Sequence, residues 1–511
     1  MPEYLFAFDI GTTGVKAGLF SPAGKLLGTT YREYAVQYPG PHRVEQSIEE
    51  MWVAQCQVSQ ELIHKLEINP EEIAAVGVSS QRATFVPLDK SENPLTDFIG
   101  WQDKRSIEQC EEMVQQVGSE RYYQIAGIPI EPTAAVSKIL WLKENEHEIF
   151  NNTHTFASTQ NVHLRQLGVR NAPCDLPDAA YLGLLDVNQL AWSTELLELL
   201  DIPVEKMPTL APSGQLVGEI SPRAADATGL AAGIPVVTAG GDLQCAGLGL
   251  GVVSPGMVSV GIGTGGGVLI YLDKPLRHPE QSLNCLPHAV PGAWEMEGIC
   301  LASGAAYKWY RDVLGEIEKT TAQKMGVDPY EILNEQAAQA DPGANGLIMM
   351  PSLIGAGAPN WYPKARGAIF GLTLATNKQD LTRAVLEGIC LEIRWMIEAA
   401  QNSGTSIEEI RIWGGAAKSP VWNQIAADIY GLPAVKTSIP DAGLAGAAIC
   451  AGIGVDIFSN PQEAASSFVQ VEHVYQPNQA LKAQYDEYFD IYKTIYQALI
   501  KAGIYERIAA L

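Results

Sequence analysis

The chain has 511 residues, long enough for two to four domains at about 100–200 residues each. Hydrophobic residues make up 47% and charged residues 18%, a composition that supports a large buried core and excludes wholesale disorder. The formal net charge of −24 argues against sequence-independent nucleic-acid binding and against docking on anionic membranes, and it obliges any anionic small substrate to be held by a local device.

The eight cysteines include no CxxC pair, which disfavours a zinc site or a disulfide framework and fits free thiols in a reducing cytosol. The opening MPEYLFAFDIG is interrupted by Glu3 and Asp9 and does not read as a signal peptide. No run of about eighteen apolar residues occurs, so a soluble, cytoplasmic protein without membrane partners is expected. The eight histidines form no ligand-spaced cluster, and His64, His147 and His163 are expected on solvated or polar faces.

Residues 4–10 form an apolar run, 11–14 a Gly/Thr turn, 15–20 a second run, and 25–31 a third after another turn. These read as consecutive antiparallel strands. A helix is expected from about Ser47, with Ile48, Met51, Trp52 and Cys56 near helical spacing, then strands at 73–80 and 85–88. Helix and strand signals keep alternating, which predicts an α/β protein. Residues 235–239 form a strand ending in Gly240-Gly241-Asp242. A strand at 257–262, a Gly/Thr turn at 263–267 and a strand at 268–272 then repeat the N-terminal arrangement. The repetition suggests two domains, 1–245 and 246–511, with a ligand in the cleft between them.

Four segments carry candidate chemistry. In Asp9-Ile10-Gly11-Thr12-Thr13-Gly14, exposed N–H groups and hydroxyls could hold phosphate oxygens, and the carboxylate could hold Mg²⁺ through water. An ordinary hairpin explains the same residues. The second segment, GIGTGG at 261–266, matches GxGxxG, but a strand and not a helix follows, so a dinucleotide fold is rejected. Asp242, at the end of a strand, is either a site acid or the N-cap of a helix over 243–250, and both can hold. Finally, a strand running into Gly414-Gly415 is followed by Ser419-Pro420, a helix start, where glycines would let a ring or sugar approach the backbone. Close strand–helix packing explains those glycines equally well. Walker A, GxSxG and HExxH motifs are missing.

Together these segments, in order along the whole chain, resemble the FGGY carbohydrate kinases of the actin/sugar-kinase ATPase superfamily. RGAIFGLTLATNKQDLTRAVLEG, residues 366–388, is similar to that family's C-terminal signature at each constrained position. A second signature, around Lys138 to Asn145, fits in its second half, with Ala135 where the family prefers Pro, Ser or Thr.

The resemblance implies two domains of actin-like, ribonuclease H-like fold with an inter-domain cleft, and ATP and Mg²⁺ as cofactors. It implies that Asp9 organises Mg²⁺, and that Gly11, Thr12, Thr13, Gly263 and Thr264 meet the phosphates. Gly304, Lys308, Gly414, Gly415 and Ser419 would complete the nucleotide site, and Asp242 would be the catalytic base. Gln81, Arg82, Trp101, Asp103, Thr133, Asp242 and Gln244 would form the acceptor site. Arg82 and Asp103 would offer a donor and an acceptor to several hydroxyls. Glycerol kinases carry Glu and Tyr where Ala83 and Thr133 stand, and xylulokinases carry Met-His in place of Arg82-Ala83. The smaller residues favour a ketopentose such as xylulose over glycerol or an autoinducer-2-like polyol. A homodimer is compatible with the resemblance. Two other classes make contrary predictions. A non-catalytic sugar sensor would be expected to lack Asp242, and a nicotinamide oxidoreductase needs a helix after Gly267.

Overall fold

The computed structural model describes residues 3–510. The first sheet is built from β1 (Tyr4–Ile10), β2 (Gly14–Phe20), β3 (Leu26–Glu33), β4 (Ile73–Ser80), β5 (Leu216–Glu219) and β6 (Pro235–Gly241). The second comprises β7 (Gly256–Ile262), β8 (Gly266–Leu272), β9 (Asn284–Pro287), β10 (Trp294–Cys300), β11 (Ile407–Gly414), β12 (Ala434–Thr437) and β13 (Val471–Tyr475). Their orders are β5-β6-β4-β1-β2-β3 and β9-β10-β8-β7-β11-β12-β13.

The two sheets share one plan. In the first, β3, β2 and β1 are antiparallel neighbours, and β4 and β6 add in parallel beside β1. In the second, β10, β8 and β7 are antiparallel neighbours, and β11 and β12 add in parallel beside β7. The duplication suggested by two Gly/Thr turns therefore extends to five strands on each side. The expected strand at Phe85–Leu88 forms, but in a separate four-stranded sheet.

The strand pattern explains how each sheet is covered. In β1, Phe6, Phe8 and Ile10 face one core with Met51, Val58 and Leu62 of α1 (Ile48–Leu66), while Leu5 and Ala7 face another. The period of two sends alternate side chains to opposite faces. Helix α1 starts where Ser47 accepts a hydrogen bond from the Glu50 N–H (3.3 Å).

The far face of the first sheet is covered by α8 (Ala442–Gly454), from the C-terminal part of the chain. Helix α8 crosses α3 (Asp242–Gly249), and a Cβ on Gly446 would lie 1.9 Å from the Cys245 carbonyl oxygen. Only glycine permits that approach. Leu248 of α3, Leu444 of α8 and Leu269 of β8 belong to one buried cluster, which joins the two sheets directly behind the site.

His163 departs from expectation. It is fully buried, its Nδ1 lies 2.6 Å from Gln55 Oε1, and its ring stacks on Phe98. Burial pushes its pKa down to about 3, so the ring is neutral and part of the core. Among the described residues, no helix is long and apolar enough to cross a membrane.

Candidate active site

The turn between β7 and β8 closes with Gly263 N–H donating to Gly265 O (2.9 Å). Helix α4 (Ser303–Leu314) abuts it end-on. Gly304 N–H donates to Gly263 O (2.8 Å), and Ala305 N–H donates to Thr264 O (2.9 Å). A Cβ on Gly304 would sit 2.1 Å from Gly263 O, so glycine is what allows the helix to reach the turn. On the far side, Ser419 caps α7 (Pro420–Tyr430) by accepting from Trp422 N–H (3.2 Å), with Pro420 at the first position. These three elements enclose a cleft of about 620 Å³.

Gly263, Thr264, Gly304, Lys308, Gly415 and Ser419 all line this cleft. Tyr307, Trp422 and Tyr330 form an aromatic wall, with Tyr307 centred 5.1 Å from Tyr330 and 5.2 Å from Trp422. Tyr330 belongs to α5 (Pro329–Gln339) and was missed in the sequence, although Asp328-Pro329 is a readable helix start.

A second cavity, of about 410 Å³, shares Gly263 and Thr264 with the first. Gln81, Arg82, Trp101 and Asp242 line it, as do Ala83, Thr133 and two residues expected at the nucleotide, Thr12 and Gly414. Trp101 Nε1 donates to Thr12 Oγ1 (2.9 Å), which ties the acceptor wall to the first turn. Gly11 and Thr13 line neither cavity. Gly11 N–H closes its own turn on Gly14 O (3.0 Å), and the Thr13 carbonyl accepts from Tyr34 N–H (3.3 Å).

Arg82 is held on three sides. Its Nη1 lies 2.8 Å from Glu297 Oε2, its Nε lies 3.6 Å from Asp242 Oδ1, and its guanidinium carbon sits 4.5 Å over the Tyr181 ring. Tyr181 OH donates to Glu297 Oε1 (2.7 Å), and Asn284 Nδ2 donates to Tyr181 OH (2.9 Å). Burial alone would disfavour the Arg82 charge, but Glu297 overcomes it and the pKa is raised. Tyr181 comes from α2 (Leu176–Leu182), whereas Glu297 comes from β10 of the second sheet. The wall of the smaller cavity therefore spans both halves of the molecule.

Asp242 is the first residue of α3, with Gly241 in the cap position, so the N-cap expectation is corrected. Its Oδ1 accepts from the Leu243 N–H (2.9 Å). The side chain keeps 47% of its exposure toward the cavity, and burial of its surroundings raises its pKa against the pull of Arg82.

Two expected acceptor residues lie elsewhere. Gln244 is two positions beyond Asp242 on α3, about 200° round the helix. Its amide is not part of the lining and donates to the Glu295 carboxylate, while Leu243 takes the cavity position. Asp103 is fully buried behind the wall. It accepts from Val44 N–H (2.6 Å) and from Arg105 Nε (2.9 Å) and Nη2 (2.7 Å), which leaves it committed to the fold.

Asp9 faces Lys16 across the β1–β2 pair, and Lys16 Nζ reaches Asp441 Oδ2 (2.9 Å) at the start of α8. Asp9 Oδ1 is buried without a hydrogen-bond partner. Burial first, then Asp441 and Asp242, push its pKa up to about 7 against the opposing effect of Lys16. An orphaned carboxylate oxygen close to other acids fits a divalent cation. Among the described residues no three His, Cys, Asp or Glu side chains form a metal cage, so the remaining ligands would be water and phosphate oxygens.

The model of the N-terminal domain of the FGGY family of carbohydrate kinases matches residues 4–249, and that of its C-terminal domain matches residues 258–455. The chain belongs to the FGGY family of carbohydrate kinases. It is an ATP-dependent phosphotransferase with an alcohol group as acceptor, and its fold is the two-domain, actin-like arrangement of that family. A glycerol kinase of Halorhodospira halophila is 31% identical over 93% of this chain and 92% of its own. An autoinducer-2 kinase of Yersinia enterocolitica is 30% identical over 98% and 96%. Among solved structures, a ligand-bound xylulose kinase of Lactobacillus acidophilus has a TM-score of 0.89 at 25% identity, covering 99% of each chain. A gluconate kinase of the same organism has a TM-score of 0.88 at 25% identity, covering 97% of this chain and 98% of its own.

Proposed function

We propose that this FGGY kinase transfers the γ-phosphate of ATP to a hydroxyl of a ketopentose such as xylulose, with Asp242 as general base. One observation carries the reading: Gly263 and Thr264 line both cavities, with Asp242 in the smaller one. A nucleotide in the larger cleft would direct its phosphates over that turn toward an acceptor beside Asp242. Asp242 would accept the hydroxyl proton as the oxygen attacks the γ-phosphorus and the bond to the β-phosphate oxygen breaks, releasing ADP. The turn N–H groups of Gly263 and Thr264 would stabilise the spreading charge. Mg²⁺, held by Asp9 through water, would neutralise phosphate charge when bound.

The aromatic wall of Tyr307, Tyr330 and Trp422 suits the adenine ring, with Gly415 and Ser419 beside it. Residues 1–245 would form the sugar-binding domain and 246–511 the nucleotide-binding domain. The first sheet draws its strands from residues 4–241 and the second from 256–475, which supports that division. The ketopentose choice rests on Ala83 and Thr133, whose small side chains leave a cavity of about 410 Å³. The relatives' names span glycerol, autoinducer-2, xylulose and gluconate, so the acceptor must be argued from this chain's own wall.

An ADP-release screen over pentuloses, tetritols, glycerol and hexuloses tests the proposal. The largest kcat/KM is expected for a pentulose. A preference for glycerol would overturn the substrate choice, and no acceptor-dependent ADP with any of them would overturn the kinase reading.

A further inference from the structure

The acceptor cavity has a marked charge asymmetry. Among the described residues that line it, Arg82 is the only cation, and Glu297, Asp242 and the Tyr181 ring already occupy its edges and face. The next basic side chain, Lys138, is fully buried behind the wall, and its Nζ donates to the carbonyls of Pro132 (2.8 Å) and Thr133 (2.9 Å). The one cation of the lining therefore has acids on two sides. Two carboxyl groups line it, Asp242 and Glu131.

The uncharged lining shows the same bias. Gln81 and Asn284 are each 2% exposed, and the Oε1 of the one and the Oδ1 of the other are buried without a hydrogen-bond partner. One N–H of each amide is engaged, that of Gln81 with Gln46 Oε1 (2.7 Å) and that of Asn284 with Tyr181 OH (2.9 Å). The lining thus leaves these two acceptors and one donor, the Trp413 indole N–H, without partners. A compound with many hydroxyls supplies donors, whereas a carboxylate supplies only acceptors and a second negative charge. Placing that charge beside Asp242 and Glu131 is opposed by both repulsion and desolvation.

Asp242 is required for proton transfer on the reading above, so it cannot be what a charged acceptor would change. That leaves Glu131. We propose that Glu131 is a specificity-determining residue, which restricts the acceptor to uncharged polyhydroxy compounds by accepting a hydroxyl hydrogen bond and turning away sugar acids. The inference rests on the kinase reading. Burial raises the Glu131 carboxyl to about 7, with Lys138 opposing, so the acceptors are compared above that value, at pH 8.

The test compares ADP formation at pH 8 from five-carbon ketoses and alditols with that from five-carbon aldonates. Uncharged acceptors should lead in kcat/KM by at least about a hundredfold, the scale of an unmatched like charge. Glu131→Gln should raise the ratio of aldonate to uncharged acceptor by at least about tenfold, because it deletes the repulsion and keeps the shape. The affinity for Mg·ADP, read in the same samples, reports whether the variant is folded. An aldonate within tenfold of the best uncharged acceptor overturns the proposal for the cavity. An unchanged ratio in a nucleotide-binding Glu131→Gln variant overturns the role of Glu131. If no acceptor of either kind releases ADP, it is the kinase reading that falls, and this inference with it.

Discussion

The two cavities that meet at Gly263 and Thr264 are built differently. The larger one, proposed for the nucleotide, offers main chain around the shared turn: the turn itself, the end of α4 that only Gly304 lets approach, and the capped start of α7, with the aromatic wall beyond. The smaller one, proposed for the acceptor, faces that turn with a wall of side chains, in which Arg82, Tyr181 and Glu297 from three distant segments interlock. A phosphate tail is a constant ligand that backbone dipoles can serve. An acceptor must be told from similar molecules, and that takes side chains. Single side-chain changes should therefore act strongly in the acceptor cavity and weakly at the main-chain end of the nucleotide cleft.

The sharpest form of this contrast is Asp242→Asn. The change keeps the size of the side chain and removes the proton acceptor. Turnover should fall by at least about a hundredfold, since general-base assistance is worth roughly 10²–10⁴. Affinity for ATP should hardly change, because Asp242 lines only the smaller cavity. Turnover within a few-fold of the unaltered chain would reduce Asp242 to a structural residue of α3.

The same contrast explains what could be read from the chain alone. Backbone-driven features were legible: both Gly/Thr turns, the Ser419-Pro420 helix start and the strand after Gly267 follow from local residue chemistry. The acceptor wall was only partly so. Gln244 was misplaced because its direction depends on where α3 begins, and one residue of helix phase decides it. Asp103 was misplaced because its partner Arg105 lies only two residues away and saturates it locally, a signal that could have been weighed. Glu131, Tyr181 and Glu297 belong to no local pattern. Even so, Glu295 and Glu297 alternate within an apolar strand, so both had to face one buried side. Arg82, the partner of Glu297, lies more than two hundred residues away, and only the packing of two sheets brings it there.

The next effect concerns the shape of the acceptor wall. Ala83 and Thr133 both line the cavity, so the double change Ala83→Glu and Thr133→Tyr would narrow it. Discrimination by fit or by an unmatched polar group is worth about 1–3 kcal/mol. The ratio of kcat/KM for glycerol to that for the best ketose should rise by at least about tenfold on that scale. A flat ratio in a folded, ATP-binding variant would remove these two positions from the specificity argument.

The Asp9 carboxyl lies under the first turn and predicts a pH dependence. Its pKa is raised from 3.8 to about 7, chiefly by burial. The folded chain thus holds this proton more tightly than the unfolded chain. The resulting contribution to stability is complete below 3.8 and is lost as pH rises through about 7. A bound cation needs the carboxylate, so the affinity for Mg·ADP should move the other way, rising from pH 6 to pH 8 by up to about tenfold. Thermal unfolding with and without Mg·ADP across that range would measure it. Asp9→Asn should flatten the rise, and a rise that survives the substitution would assign the proton to another group.

The smallest effect is expected at Lys308, a charged side chain in the nucleotide cleft. It is 64% exposed, and its Nζ lies 2.6 Å from Asp312, which also pairs with Arg311 at 2.6 Å. Lys308→Met keeps the apolar stem and removes the charge, while Arg311 continues to satisfy Asp312. Exposed charge interactions of this kind contribute about 0.2–1 kcal/mol, which corresponds to an ATP affinity weakened by no more than about fivefold. Turnover should stay within about twofold, because the turn N–H groups and not this ammonium would face the transferring phosphoryl group. Titration of Mg·ADP and steady-state kinetics with varied ATP would measure both. If turnover instead fell by a hundredfold with affinity intact, Lys308 would be acting on the transition state, and the nucleotide cleft would depend on side chains as much as the acceptor cavity does.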